Sequence, residues 1–148
     1  MYNYTSCGLE NIYLENGYTT TDSPYGETVA IQDIKGLHKA IGLSIIESPN
    51  ALTSSEIKFL RKEMDWSQKV LAYCLDTKVI TVRKWESGDN TISGPADRLL
   101  RALYKECVDD GSSIKKMIDK IAQLDKKTYT PIQLQFTETA EGWRKKAG

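Results

Sequence analysis

The chain has 148 residues, with 20 basic and 20 acidic side chains and 40% hydrophobic residues. This length suits one ordinary domain, or two small ones that share a core. No apolar run approaches a bilayer span, and the N-terminus lacks the pattern of a signal peptide, so we expect a cytoplasmic protein with no membrane partner. Three widely spaced cysteines, Cys7, Cys74 and Cys107, exclude a disulfide framework.

The zero net charge hides an uneven distribution. Residues 1–52 carry two basic and six acidic side chains, a net charge of −4. Residues 53–107 carry ten and eight, and residues 108–148 carry eight and six, so each of these segments has a net charge of +2. Because the local placement of charge governs attraction to phosphate, this balance does not exclude a nucleic-acid partner.

The first fifty residues have the composition of a small antiparallel β domain. Asn16-Gly17 separates two β-favouring runs, residues 12–15 and 18–21, which predicts a hairpin. Residues 22–26 have loop composition, and residues 28–31 fit a further strand. Residues 37–46 fit either a strand or a short helix. Residues 48–50, Ser-Pro-Asn, predict a linker to the next segment.

Residues 51–108 have the apolar spacing of a helical bundle. Thr53 and Glu56 have the spacing of a capping box at the start of a first helix. A second helix begins after Ser67, a third covers residues 79–87 and ends at Gly88, and a fourth begins at residues 94–95. The fourth has a predicted buried stripe of Leu99, Leu100, Leu103 and Cys107. The residues expected to share one core are Leu60, Leu71, Leu75, Val82, Trp85, Leu99 and Leu103.

Residues 67–88 predict two short helices joined by a corner at residues 76–78. This arrangement is typical of a helix-turn-helix unit, whose second helix enters the major groove of DNA. In that helix Val82 and Trp85 are expected to point inward. The opposite face supplies the candidate base contacts Val79, Ile80, Arg83 and Lys84, and Lys78 is a candidate phosphate contact.

This stretch resembles the helix-turn-helix of the phage-repressor (XRE) family, whose pattern is roughly S-Q-x-x-L-A-x-x-L-G-V-S-x-x-T-V/I-x-x-W-E-x-G. Across its 22 residues ten of the specified positions match: Ser67, Gln68, Leu71, Ala72, Leu75, Thr81, Val82, Trp85, Glu86 and Gly88. Asp76, Thr77 and Lys78 depart from the G-V-S of the pattern, and Asp tolerates the left-handed conformation there. The resemblance implies a lambda-repressor-like bundle. It also implies that Gln68 contacts a phosphate or an adjacent base, whereas Trp85 and Glu86 pack and hydrogen-bond locally.

The order of parts along the chain resembles MqsA-type (YgiT-type) antitoxins, in which a small N-terminal domain precedes such a unit. This resemblance depends on Tyr4, residues 7–9, Asn11 and residues 36–38. The domain in that family is a zinc ribbon with paired cysteines, but here Cys7 and His38 are the only two candidate ligands. Because a structural zinc site needs four ligands, we expect no metal and no cofactor, with Cys7 a small buried side chain and His38 a strand or turn residue.

Residues 109–148 predict a C-terminal helix and a strand. Residues 112–124 carry an amphipathic stripe, and residues 132–137 alternate as a strand with one buried face. A lone strand needs a partner, so we expect it to pair with the N-terminal β segment or with a second chain. Residues 143–146, Trp-Arg-Lys-Lys, are expected to be solvated, with contact to a phosphate backbone as the alternative. The predicted fold class is therefore α+β, in three parts: residues 1–50, 51–108 and 109–148.

The leading interpretation is a homodimeric transcriptional repressor that binds a double-stranded DNA operator. The antitoxin resemblance implies that residues 1–50 bind and neutralise a small cognate toxin, and that the pair represses its own operon. Two alternatives remain: a stand-alone repressor with a ligand-sensing β domain, and an interaction module whose helix-turn-helix does not bind DNA. An enzyme is not expected, because a single histidine and no glycine-rich phosphate loop leave no catalytic constellation.

Overall fold

The computed structural model describes residues 1–109, 116 and 133–146. Over these residues the fold is mixed α+β, with five helices and three antiparallel sheets of two strands each. Four short strands come first, then the helices, then a final pair of strands. None of the helices in this part of the chain combines the length and the apolar composition that crossing a bilayer requires.

The N-terminal strands pair differently from the prediction. The strand pairs are β1 (Tyr2–Asn3) with β2 (Tyr13–Leu14), and β3 (Tyr18–Ser23) with β4 (Gly26–Ile31). The expected hairpin through Asn16-Gly17 is therefore wrong, although Gly17 does have a positive φ of 79°. The predicted strand at residues 28–31 is confirmed within β4, and the predicted loop at residues 22–26 contains the β3–β4 turn.

Residues 37–46, which fitted either a strand or a helix, lie in α1 (Ile34–Glu47). The Asp33 carboxylate accepts a hydrogen bond from the Gly36 amide and so caps the first turn. Ile41 and Ile45, one helical turn apart, are both buried. The expected β domain is therefore confirmed only for residues 2–31, which form two pairs of short strands, and of the two alternatives for residues 37–46 the helix is the correct one.

The helices of the middle segment lie close to their predicted positions. Their bounds are α2 (Ser54–Glu63), α3 (Gln68–Cys74), α4 (Val79–Ser87) and α5 (Gly94–Asp109). The capping box is confirmed, because Thr53 and Glu56 each accept a hydrogen bond from the amide of the other. The Ser67 cap of α3 is also confirmed, because its hydroxyl accepts from the Val70 amide. Gly88 ends α4 in the left-handed conformation, with φ at 86°.

One hydrophobic core joins the N-terminal segment to the helices. The predicted core residues Leu60, Leu71, Leu75, Val82, Trp85 and Leu103 are all buried. The prediction was wrong for Leu99, which is 42% exposed. Leu100, Leu103, Tyr104 and the half-buried Cys107 form the inner face of α5 instead, because their spacings of three, four and seven place them on one side of the helix.

The first and last helices of this core approach closely at Gly42. A Cβ atom added there would lie 2.0 Å from the hydroxyl oxygen of Tyr104, so any larger residue would force the Tyr104 side chain to move. Tyr104 is itself buried, and burial is the main cause that raises its pKa to about 12. This contact fixes the N-terminal segment against the helices.

The connection between α1 and α2 is held to α5 by a partly buried ion pair. The Asp97 carboxylate accepts hydrogen bonds from Arg101 at 2.6 Å and from the Leu52 amide at 2.8 Å. The Arg101 guanidinium also donates to the Ile46 carbonyl in the last turn of α1 and to the Ser48 and Asn50 carbonyls of the connection. The predicted linker is therefore fixed in place by side-chain hydrogen bonds.

The C-terminal prediction is corrected where the chain is described. The predicted helix at residues 112–124 lies outside the described residues, except for Lys116. The predicted strand begins later, as β5 (Phe136–Thr139), and pairs with β6 (Gly142–Lys145) in a local hairpin. The expected pairing with the N-terminal β segment is therefore wrong, because β5 pairs with β6, and within the single chain all four residues of β5 are exposed. Pairing or burial of this strand against a second chain stays a prediction.

Candidate nucleic-acid interface

A short corner joins α3 to α4. Leu75 ends α3, and its amide donates to the Leu71 carbonyl. Asp76 then adopts a left-handed conformation with φ at 50°, as the sequence predicted for this position. The Thr77 amide donates back to the Ala72 carbonyl at 2.9 Å. These bonds hold the corner between the end of α3 and the start of α4.

The first turn of α4 has no side-chain cap. Lys78 occupies the N-cap position and forms no capping hydrogen bond, since its side chain has no acceptor atom. Its backbone carbonyl accepts from the amides of Thr81 and Val82. The Lys78 side chain is exposed beside the positive end of the helix dipole, an arrangement that suits an anion such as phosphate.

The outer face of α4 carries cationic side chains and a branched aliphatic side chain. Ile80 is 51% exposed, and Arg83 and Lys84 are exposed beside it. The opposite face is buried, with Val82 and Trp85 in the core as predicted. This face places two cations and one large aliphatic side chain on the same helix.

Val79 differs from its predicted position. It was expected to face outward, but it is half-buried and packs against the core. The reason is its helical spacing: Val79 lies three residues before the buried Val82, so it borders the inner face. Only part of its side chain is available to a ligand.

A buried ion pair anchors the inner side of α4 to α2. The Arg61 guanidinium donates to both carboxylate oxygens of Glu86, at 2.7 and 2.8 Å, and to the Trp66 carbonyl at 2.9 Å. The two charged side chains are only 11% and 5% exposed. Glu86 was predicted to form a local hydrogen bond, but its partner is 25 residues away in the chain. This bidentate pair fixes the rotation of α4 about its own axis.

Gln68 links that ion pair to the exposed face. Its amide nitrogen donates to Glu86 at 3.3 Å, and its amide oxygen accepts from Arg83 Nε at 3.4 Å. Since the Arg83 bond uses Nε, the two terminal nitrogens of that guanidinium are the donors suited to a guanine edge. Gln68 therefore contacts Arg83, and the DNA contact that the resemblance implied for Gln68 itself stays a prediction.

The sequence did not predict the hydrogen-bond network that runs from Arg61 through Glu86 and Gln68 to Arg83. Its members come from three helices, and spacing within one helix does not reveal pairs between helices. One feature of the sequence does indicate such a network. Glu86 directly follows the buried Trp85, and a carboxylate that is shielded from water needs a cationic partner. Arg61 and Lys62 in the last turn of α2 were the candidates for that partner.

Comparison with protein-family models, with curated proteins and with solved structures gives no match to this chain.

A second polar cluster links the N-terminal strands to the helices. His38 lies in α1, not in a strand or turn as expected, and its Nδ1 lies 2.6 Å from Glu63. Because a carboxylate only accepts, Nδ1–H is the donor, and in the neutral ring Nε2 accepts from the Tyr4 hydroxyl at 2.8 Å. Burial is the main cause that raises the pKa of Tyr4.

Cys7 lies beside this cluster and donates a weak hydrogen bond to the Tyr4 carbonyl. It is partly buried and packs against the core. Within residues 1–109, 116 and 133–146, no three His, Cys, Asp or Glu side chains are grouped closely enough to hold a metal ion. The geometry of this cluster suits the attachment of the N-terminal segment to α2.

Proposed function

We propose that this protein is a sequence-specific DNA-binding transcriptional repressor, in which α3 and α4 form a helix-turn-helix unit of the XRE type. The observation that carries the proposal is the outer face of α4, where Ile80, Arg83 and Lys84 are exposed on a helix whose other face is fixed in the core. A helix with such a face fits the width of the major groove.

Each exposed side chain has a role that follows from its chemistry. Arg83 is assigned to the O6 and N7 atoms of a guanine, and Lys84 to a neighbouring guanine or phosphate. Ile80, with the exposed part of Val79, packs on a thymine methyl group. Lys78 and the amino ends of both helices contact phosphates, which sets the register without specifying sequence.

The resemblance to MqsA-type antitoxins extends the proposal to a second role. In this role residues 1–50 bind a small toxin, and the complex of the two proteins represses its own operon. The support is the net charge of −4 on residues 1–52, which suits a basic partner. The homodimer and the cytoplasmic location belong to the same proposal, and no catalytic step is part of it.

The experiment is selection of binding sequences from a random pool of double-stranded DNA, followed by anisotropy titrations at several salt concentrations. We expect one enriched motif and an affinity whose logarithm falls by ~0.9 per phosphate contact for each unit of log salt concentration. An unenriched pool with a flat salt response would instead support the interaction module that does not bind DNA. A specific response of the free protein to a metabolite would support the stand-alone repressor.

A further inference from the structure

The C-terminal hairpin places four dissimilar side chains on one face. β5 and β6 are antiparallel, and residues directly opposite each other in such a pair project to the same side. Phe136 lies opposite Lys145, and Glu138 lies opposite Trp143. Since residues two apart on a strand also share a face, all four side chains lie together.

The two aromatic side chains on this face are open to solvent. Phe136 is 58% exposed and Trp143 is 70% exposed. A two-stranded hairpin without packing is marginally stable in water, and neighbouring exposed aromatic rings are typical of interaction surfaces. The reverse face carries Thr137 and Arg144, so the apolar surface is confined to one side.

The arrangement of charges on this face specifies what covers it. The aromatic rings occupy one diagonal of the four positions, and Glu138 and Lys145 occupy the other. Two such faces can be related by a two-fold axis that lies between them, parallel to the line from Phe136 to Trp143. Rotation about this axis places Phe136 against Phe136 of the second copy, and Trp143 against Trp143 of the second copy. The same operation brings Glu138 of each copy against Lys145 of the other, which forms two ion pairs. The surface is therefore complementary to itself, as a two-fold interface requires.

We propose that this face, formed by Phe136, Glu138, Trp143 and Lys145, is a homodimer interface between two copies of the chain. The strands of the two hairpins cross at a large angle in this arrangement, as in orthogonal sheet packing. A uniformly acidic or basic partner would be attracted to one of the two charged side chains, Glu138 and Lys145, and repelled by the other. A second copy meets both, and it also covers the rings.

This interface is small, so the dimer it forms is weak on its own. A face of four residues buries less than the ~800 Å² per partner of a stable complex. DNA with two half-sites would raise the effective concentration of one copy beside the other and so strengthen it. That role of the dimer depends on the proposed DNA-binding function, whereas the association itself occurs without DNA.

The test uses the full chain in sedimentation equilibrium, with the single variants Glu138→Lys and Lys145→Glu. Each variant alone places like charges opposite each other twice, so we expect its self-association to weaken at least about tenfold. In a mixture of the two variants both contacts become attractive again, and association should return to that of the parent. Thr137→Lys, on the reverse face, is the control and should associate like the parent.

Three outcomes would overturn the proposal: a parent protein that stays monomeric, single variants that associate as the parent does, or a mixture that shows no recovery. Recovery on mixing requires contact between chains, so packing of the hairpin within its own chain predicts its absence. Binding of each variant to a single DNA half-site is measured in parallel. If the parent protein does not bind a half-site, the result counts against the DNA-binding function and not against the interface.

Discussion

Adjacent leucines of α5 have opposite environments. Leu100 is fully buried, whereas Leu99 is 42% exposed. We predict that Leu100→Ala lowers the free energy of unfolding by about 2–5 kcal/mol, because it removes apolar contacts and leaves a cavity. Leu99→Ala, the matched control, should cost less than about 1 kcal/mol. Urea denaturation of both variants measures the difference, and equal losses would mean that the buried face of α5 is assigned incorrectly.

Burial of the Cys74 thiol makes the free energy of unfolding depend on pH in the alkaline range. Burial raises the pKa of Cys74 from 9.0 to about 11. Below pH 9 both the folded and unfolded chains keep this proton, so its contribution to stability is fully present. As the pH rises from 9 towards 11, the unfolded chain loses the proton first, and the free energy of unfolding decreases.

Cys74→Ala tests this contribution, because every other titrating group is common to both proteins. We predict that the free energy of unfolding of the parent falls relative to Cys74→Ala between pH 9 and pH 11. Urea denaturation at intervals of pH measures the difference between the two curves. Parallel curves over this range would show that the thiol titrates equally in the folded and unfolded states.

At the scale of the element, the N-cap position of α4 is held by Lys78, which is exposed and forms no side-chain capping hydrogen bond. Lys78→Ser supplies the missing N-cap, so we predict a gain in unfolding free energy of about 0.5–2 kcal/mol. The same change removes one proposed phosphate contact, which should weaken DNA binding uniformly across sequences and reduce the salt slope by ~1. Thermal denaturation and anisotropy titrations measure the two effects.

The control for this change is Lys78→Ala, which removes the charge without supplying a cap. It should match Lys78→Ser in DNA binding but not in stability. If both variants bind DNA like the parent, Lys78 contacts no phosphate. If Lys78→Ser is no more stable than Lys78→Ala, the cap position does not limit α4.

The helices were predictable because their signals are local. Caps at Thr53 and Ser67, apolar spacing along each helix and the terminal Gly88 all lie within a few residues of the helix they define. Strand pairing is not local. Asn16-Gly17 has the chemistry of a hairpin turn, but Tyr13–Leu14 pairs with Tyr2–Asn3, which no pattern near the turn could indicate.

The candidate site was predictable to the same extent. Periodicity placed Arg83 and Lys84 on the outside of α4 and Trp85 on the inside, as observed. It did not reveal that Glu86 and Arg61 form a buried pair, or that Gln68 bridges this pair to Arg83. These contacts depend on how three helices pack, and that packing is a property of the whole core.

At the scale of the whole molecule, the core connects the N-terminal segment rigidly to the helices. The contact of Gly42 with Tyr104 and the hydrogen bonds of Arg101 join α1 and its following connection to α5. The N-terminal segment is acidic and the central segment mildly basic, so the proposed protein partner and the proposed DNA partner meet surfaces of different charge.

The central claim is that the outer face of α4 recognises base pairs, and Arg83→Ala tests it most directly. The measurement is the affinity of this variant for the selected DNA motif and for every single base-pair substitution of it. We predict that discrimination falls by roughly 1–3 kcal/mol at one base pair, while Arg98→Ala, which removes an exposed arginine from α5, keeps the preference of the parent. An Arg83→Ala protein that discriminates every base pair as the parent does would contradict the claim.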